Sequence, residues 1–183
     1  MPSEVFTKEG EREVYDGRII RVVSGMFRGP DGDSFERDVV HHPGAVSIVP
    51  LLDDGRVVLV RQYRAALDVD LLEIPAGIRD VHGEAPELTA ARELAEEVGL
   101  QAASIELLCR FHNSPGFTDE EVHVFLGTGL TECGNDLQGV EEQHMTVEYL
   151  ALDDVPAMIA SGALTDAKTI IGLTLTRERL DRG

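Results

Sequence analysis

"ARELAEEVGL", residues Ala91 to Leu100, carries three glutamates, Glu93, Glu96 and Glu97, within five positions of a segment that otherwise reads as a helix. Pro86 stands where a first helical turn tolerates a residue lacking an N–H, and Gly99 where a helix commonly stops, so the sequence predicts a helix from Pro86 to Gly99. Leu88, Ala91, Leu94, Ala95 and Val98 fall at spacings of three, four and seven. They predict an apolar stripe against a sheet, with the glutamates on the other faces. Glu93 and Glu97 are four apart and Glu96 is three from Glu93, so the three carboxylates share neighbouring surface. Like charges at such spacings cost about 0.2–0.5 kcal/mol per pair in an isolated helix, and more where water is excluded. Two effects offset this cost. One is solvent screening, with Arg92 pairing Glu96 four residues on. The other is a divalent cation, because clustered carboxylate oxygens suit Mg²⁺ or Mn²⁺. Periodicity alone leaves both open.

Outward from the helix, strand and turn signals alternate. Before it, "GAVSIVPLL" and "RVVLVRQYR" flank "DDG" and predict a hairpin of two buried strands. "LLEIPAG" and the polar loop "IRDVHGE" then lead into the helix. Earlier still, "GRIIRVVSGMF" and the turn "RGPDGDS" predict an N-terminal hairpin or meander between residues 11 and 40. Beyond the helix, "SIELLCRFHNSPGF" and "EEVHVFLGTGL" predict strands around a Pro-Gly bend, and "HMTVEYLALDDV" a strand that ends at a helix start. The tail from Asp153 predicts two helices separated by "SGALTD". The expected class is mixed α/β (α+β), with a largely mixed or antiparallel sheet.

Composition narrows the function. A chain of 183 residues is expected to form one main domain. Its net charge of −18 repels nucleic acid and anionic membranes at long range. Apolar runs such as "AVSIVPLL" are far shorter than the roughly 20 residues of a membrane helix. The start "MPSEVFTKEG" has no basic segment followed by an apolar core, so a cytoplasmic protein is expected. Cys109 and Cys133 fit neither a disulfide framework nor a zinc site.

The residues around the helix carry a more specific signal. Glu84, Arg92, Glu93, Leu94, Glu96, Glu97, Gly99 and Leu100 match, in type and spacing, the Nudix box, in which a glycine, five residues, a glutamate and seven residues precede R-E-U-x-E-E-x-G-U, U being apolar. The chain resembles the Nudix hydrolases, with one departure: six residues separate Gly77 from Glu84. The resemblance implies a mixed β-sheet sandwiched between helices over residues 44–183. It also implies an N-terminal β-strand extension over residues 1–43, exchanged between the subunits of a homodimer. Glu93, Glu97 and the backbone carbonyl of Ala76 would be metal ligands, with Glu96 beside them, and Arg92 would orient the acidic cluster. Two or three Mg²⁺ or Mn²⁺ ions per site are implied.

"VRQYR", "LLEIPAG" and "NSPGFTDEEVHVFL", with Pro115 about sixteen residues past the box, resemble the ADP-ribose pyrophosphatase branch. That likeness implies hydrolysis of ADP-ribose to AMP and ribose 5-phosphate. The alternatives are another nucleoside diphosphate sugar, a dinucleoside polyphosphate, or a sensor that binds ADP-ribose without turnover. Arg64 matches the branch's diphosphate-binding arginine. Arg61 is a second candidate, and Arg37 a third that would reach a neighbouring subunit's ligand. Glu142 in "GVEEQHM" takes the position of the general base, with Glu141 as the alternative and His144 beside it. Phe27 and Tyr63 are aromatic candidates for the base of the nucleotide, although both read more readily as core.

Overall fold

The computed structural model describes residues 5–134 and 143–182, and its contacts divide them into two compact units. The first unit comprises residues up to Gly44 together with His112–Glu121. Strands β1 (Thr7–Asp16), β2 (Arg21–Arg28) and β3 (Ser34–His41) form an antiparallel meander in the order β1-β2-β3. Gly32, at φ 88°, supplies the left-handed residue that the β2–β3 turn requires. Val23 is its buried apolar anchor, and Phe27 stacks on Phe35 with ring centroids 5.6 Å apart. Residues 112–121 are fastened to β3 by Val40 N–H donating to the Phe117 carbonyl and Asp119 N–H to the Val40 carbonyl.

The second unit comprises Ala45–Phe111 and the residues from Val122 onward. Here β4 (Ala45–Pro50), β7 (Ala76–Ile78), β8 (Leu100–His112) and β9 (Glu121–Glu132) make a four-stranded sheet in the order β7-β4-β9-β8. It is mixed, since β4 pairs β9 in parallel and β7 antiparallel. A separate antiparallel sheet has the order β10-β5-β6, from β5 (Arg56–Arg64), β6 (Val69–Glu73) and β10 (Thr146–Ala151). Among the described residues the α-helices are α1 (Pro86–Val98), α2 (Val155–Ser161) and α3 (Ala167–Asp181). No helix of the described residues is long and apolar enough to cross a membrane.

Strand alternation explains the sandwich. Val46 and Ile48 of β4 join Ala90 and Leu94 of α1 and Phe125 of β9 in one apolar cluster. Val49, on the opposite face of β4, joins Leu59, Ile74, Val124 and Leu173 in the larger one. The mixed sheet is therefore covered by α1 on one face and by α3 with the second sheet on the other. The closeness of that second contact explains Gly172 of α3, where an added Cβ would lie 2.9 Å from Val49 Cγ2 and 3.1 Å from Val124 Cγ1.

Two sequence expectations are corrected. The turn after β4 forms, with Leu52 N–H donating to the Arg56 carbonyl, but a single bridge, Leu51 to Val57, joins the strands it connects. They diverge into different sheets instead of making a hairpin. Both strands are buried on both faces, so each needs a layer on either side, and two separate sheets provide this where a shared hairpin ladder would not.

The second correction concerns α1. Leu88 is 60% exposed, and the buried positions are Thr89, Ala90, Glu93, Leu94 and Glu97. The spacing of three, four and seven is kept by Ala90, Glu93, Leu94 and Glu97, but two of these four are acids. Burying Leu94 contributes about 1.5–3 kcal/mol, and the cost of turning Glu93 and Glu97 inward is offset by Arg92 and by the Ala76 N–H. Leu94 therefore sets the helix rotation, and the glutamates are carried inward with it. The end caps follow the sequence: Pro86 opens the helix and Gly99, at φ 67°, closes it through its N–H to the Ala95 carbonyl.

Candidate active site

The inward-facing acids of α1 meet β7. Ala76 N–H donates to Glu97 Oε2 at 3.0 Å, which satisfies a strand-edge donor and fixes that carboxylate. At Gly77 an added Cβ would lie 2.0 Å from the Glu93 carboxyl carbon. This glycine is required for space rather than for an unusual backbone angle, since its φ is not in the left-handed region. Arg92 gathers the acids around itself. Its Nη1 lies 2.9 Å from both Glu93 Oε1 and Glu96 Oε2, and its Nη2 lies 3.5 Å from Asp80 Oδ1 and 3.7 Å from Glu84 Oε2. Burial disfavours its charge, but the carboxylates of Glu93 and Glu96 outweigh that and raise its pKa above the ordinary value.

The extra residue in the loop is absorbed before Glu84. Gly83, at φ 80°, turns the chain, and Glu84 accepts a hydrogen bond from Thr89 Oγ1 at 2.8 Å while facing Arg92. Structure thus brings together Ala76, Glu84, Arg92, Glu93, Glu96 and Glu97. Four carboxylates surround one guanidinium, and Glu97 lies one turn further along the helix. Among the described residues no three His, Cys, Asp or Glu side chains are already arranged as metal ligands, and the Glu93 and Glu96 oxygens turn toward Arg92. The donor set nevertheless fits a hard divalent cation: carboxylate oxygens, two of them on buried side chains, in a cluster where acids outnumber the arginine.

Arg64, the diphosphate candidate, ends β5. Its Nε and Nη2 each lie 2.7 Å from an oxygen of Glu73, a two-pronged pair between β5 and β6. Donating to the Glu73 carboxylate raises the Arg64 pKa, and Glu97 is among the carboxylates whose charge adds to that rise. Of the α1 acids, Glu97 is the one whose charge acts on this arginine. Glu73 is fully buried, and Lys168 of α3 also pairs with it. Burial pushes the Glu73 carboxyl upward, but Arg64 and Lys168 more than reverse this and hold it below the ordinary carboxylate value.

Other candidates lie elsewhere. Arg61, three positions from Arg64 on an alternating strand, points to the opposite face and pairs with Glu148, Nε to Oε1 at 2.6 Å. Arg37 belongs to the first unit, with its guanidinium 4.8 Å from the Phe35 ring centre. Phe27 packs on Phe35, but Tyr63 is 42% exposed and donates to Asp68 Oδ1 at 2.9 Å, so it is not core. It lies next to the last residue of β5, opposite Asp70 of β6. Glu141 and Glu142 lie outside the described residues. Sequence reasoning missed Glu73, whose signal was present as a lone acid in an apolar strand, "LLEIP". It also missed Lys168, 95 residues away, for which no local pattern exists.

Comparison with known proteins bears on this arrangement. The NUDIX domain family profile matches residues 41–171. The chain is 39% identical to a protein named ADP-ribose pyrophosphatase from Mycobacterium tuberculosis, over 94% of this chain and 84% of that one. It is 34% identical to the methanol dehydrogenase activator of Bacillus methanolicus, over 88% of this chain and 86% of that one. A solved structure described as an ADP compounds hydrolase superposes with a TM-score of 0.85 over 100% of this chain and 97% of its own, at 22% identity, which speaks to the fold. With Glu93 and Glu97 of the box set against β7 and the profile spanning most of its length, the chain belongs to the Nudix hydrolase family.

Proposed function

We propose that the chain is a metal-dependent pyrophosphohydrolase that cleaves ADP-ribose to AMP and ribose 5-phosphate. The observation that carries this reading is the placement of buried Glu93 and Glu97 at the Ala76–Gly77 strand, where the Ala76 N–H holds Glu97 and the bare backbone of Gly77 makes room for Glu93. The name of the Mycobacterium tuberculosis relative supports the choice of substrate. Glu93, Glu96, Glu97 and the Ala76 carbonyl would hold the cations, two or three Mg²⁺ or Mn²⁺. When bound, these supply charge neutralisation at the diphosphate oxygens.

The chain's own groups do the rest. Arg64 presents its outer N–H groups to the diphosphate, and Arg92 keeps Glu93 and Glu96 in register. Glu142 accepts the proton of the attacking water, with Glu141 as the alternative, as the P–O bond to the bridging oxygen breaks. Glu142→Gln is expected to lower kcat by about 10²-fold or more while leaving KM within a few-fold. An unchanged kcat would transfer the role to Glu141 or His144.

The chain works in the cytoplasm as a homodimer in which residues 1–43 are exchanged and Arg37 reaches the neighbouring ligand. An edge strand β1 exposed along its whole length, with Val14 and Tyr15 uncovered, supports the exchange. Sedimentation as a monomer at assay concentrations would remove it. The substrate is tested with a panel of ADP-ribose, other nucleoside diphosphate sugars and dinucleoside polyphosphates, in ¹⁸O-labelled water with Mg²⁺. ADP-ribose is expected to give the highest kcat/KM, with label in one product only. Turnover of ADP-ribose below that of every sugar nucleotide would sink the substrate reading, and binding without turnover would favour a sensor.

A further inference from the structure

Arg64 cannot act on a diphosphate as an isolated cation, because Glu73 holds it. A lone arginine–carboxylate pair is close to neutral at a distance, and a neutral pair attracts a dianion weakly. The structure places a second cation there. Lys168 Nζ reaches the same Glu73 Oε2 that accepts from Arg64 Nη2, and it lies 3.0 Å from Asp166 Oδ1. Glu73 therefore faces two cations, one from β5 and one from the first turn of α3.

The position of Lys168 is itself fixed. Asp166 caps α3 by accepting Thr169 N–H at 3.0 Å and Thr169 Oγ1–H at 2.6 Å. Thr169 Oγ1 in turn accepts Ile74 N–H at 2.9 Å, immediately after Glu73 in the chain. The α3 N-terminus is thus pinned to the end of β6, and Glu73, Thr169 and Ile74 are fully buried. Only the Arg64 end of this chain of contacts faces outward: its side chain is 40% exposed, against 14% for Lys168. Its Nε and Nη2 are the nitrogens that bind Glu73, so Nη1 makes no hydrogen bond or ion pair among the described residues.

We propose that Glu73 and Lys168 are positioning residues for substrate binding: Glu73 locks the Arg64 guanidinium with Nη1 outward, and Lys168, shared with Asp166, offsets part of the Glu73 charge so that Arg64 keeps more of its attraction for a diphosphate. The proposal rests on the assignment of Arg64 to the substrate's diphosphate. It makes the start of α3, a helix distant from the metal-ready acids in sequence, part of the specificity for a doubly charged linkage. Lys168→Met keeps most of the buried stem and removes only the charge. Lys168→Arg restores the charge.

The test measures kcat and KM for Glu73→Gln, Lys168→Met and Lys168→Arg on whichever panel compound the wild-type chain hydrolyses best, with melting temperature as the control for folding. Calorimetric titration of the same compound into metal-free protein gives a readout independent of turnover. For Glu73→Gln and Lys168→Met, KM and the metal-free Kd are expected to rise about tenfold with kcat within about threefold, and Lys168→Arg is expected to recover most of the loss. In an Arg64→Ala background, Glu73→Gln is expected to add less than about twofold, because the residue through which it acts is gone. A fall in kcat with unchanged KM and Kd, equal losses in the Arg64→Ala background, or no rescue by arginine would overturn the proposal. If wild type hydrolyses a substrate and Arg64→Ala raises its KM, the assignment of Arg64 stands whatever Glu73 and Lys168 do. If Arg64→Ala changes nothing, the assignment and this proposal fall together.

Discussion

Glu97→Gln is expected to lower turnover by about 10²-fold or more, some 2.7 kcal/mol or more of transition-state stabilisation, with the fold intact. Glu97 is 4% exposed and its Oε2 accepts the Ala76 N–H. A glutamine keeps an oxygen for that hydrogen bond, so the strand-edge donor stays satisfied. What glutamine loses is the negative charge. Glu93 and Glu97 are four apart on one helix and both buried, so removing one of two like charges relieves at least about 0.2–0.5 kcal/mol of repulsion. The melting temperature is therefore expected to stay level or rise slightly while activity collapses. That opposition separates a functional carboxylate from a structural one. Near-normal kcat would disprove the metal-ligand role, and a large drop in melting temperature would show that the charge holds the fold. Isothermal titration with Mn²⁺ gives the same answer without substrate: weakened binding is expected in the variant.

Gly77→Ala is expected to damage both stability and activity, since the new methyl group has no room. At 2.0 Å from the Glu93 carboxyl carbon, the Cβ must displace either β7 or the Glu93 side chain. Overpacking of this kind costs about 1–3 kcal/mol. For a chain of this size that corresponds to a melting temperature lower by about 2–12 °C. Displacing Glu93 also disturbs its 2.9 Å contact with Arg92, and kcat is expected to fall by about 10²-fold. Gly83→Ala is the contrast. No atom lies within 4 Å of a Cβ there, and its cost is the left-handed backbone alone, about 1–2 kcal/mol. It should lose comparable stability with kcat kept within a few-fold. Equal activity losses at the two glycines would mean that loop conformation, rather than room for Glu93, sets the rate.

Much of the site was legible because its signals are local. Pro86 and Gly99 bracket α1 as their backbone chemistry requires, and the spacing of Arg92, Glu93, Glu96 and Glu97 places them within reach of one another on any helix. The buried side of that helix was misread, and for a definite reason. A periodicity reading assigns apolar residues to the inside, whereas here Glu93 and Glu97 occupy inward positions because Ala76 N–H and the bare backbone of Gly77 receive them. Neither feature has a hydropathy value. The supposed hairpin failed in the same way: two continuous apolar runs around a tight turn satisfy a hairpin and a sheet-to-sheet crossover equally well.

The sequence by itself determined the mixed class of the elements, the ends of α1, the acidic constellation and the family it signals, since each depends on residues a few positions apart. Tertiary structure alone decided that β4 and β5 enter different sheets and that Glu97 is anchored by a backbone N–H 21 residues away. It alone decided that Arg64 is held by a carboxylate whose second cation lies 95 residues further on. These contacts form only when the packing of Leu94, Ile48 and Leu173 has closed the layers, because the free energy that brings such distant groups together comes from burial of apolar surface and not from the groups themselves.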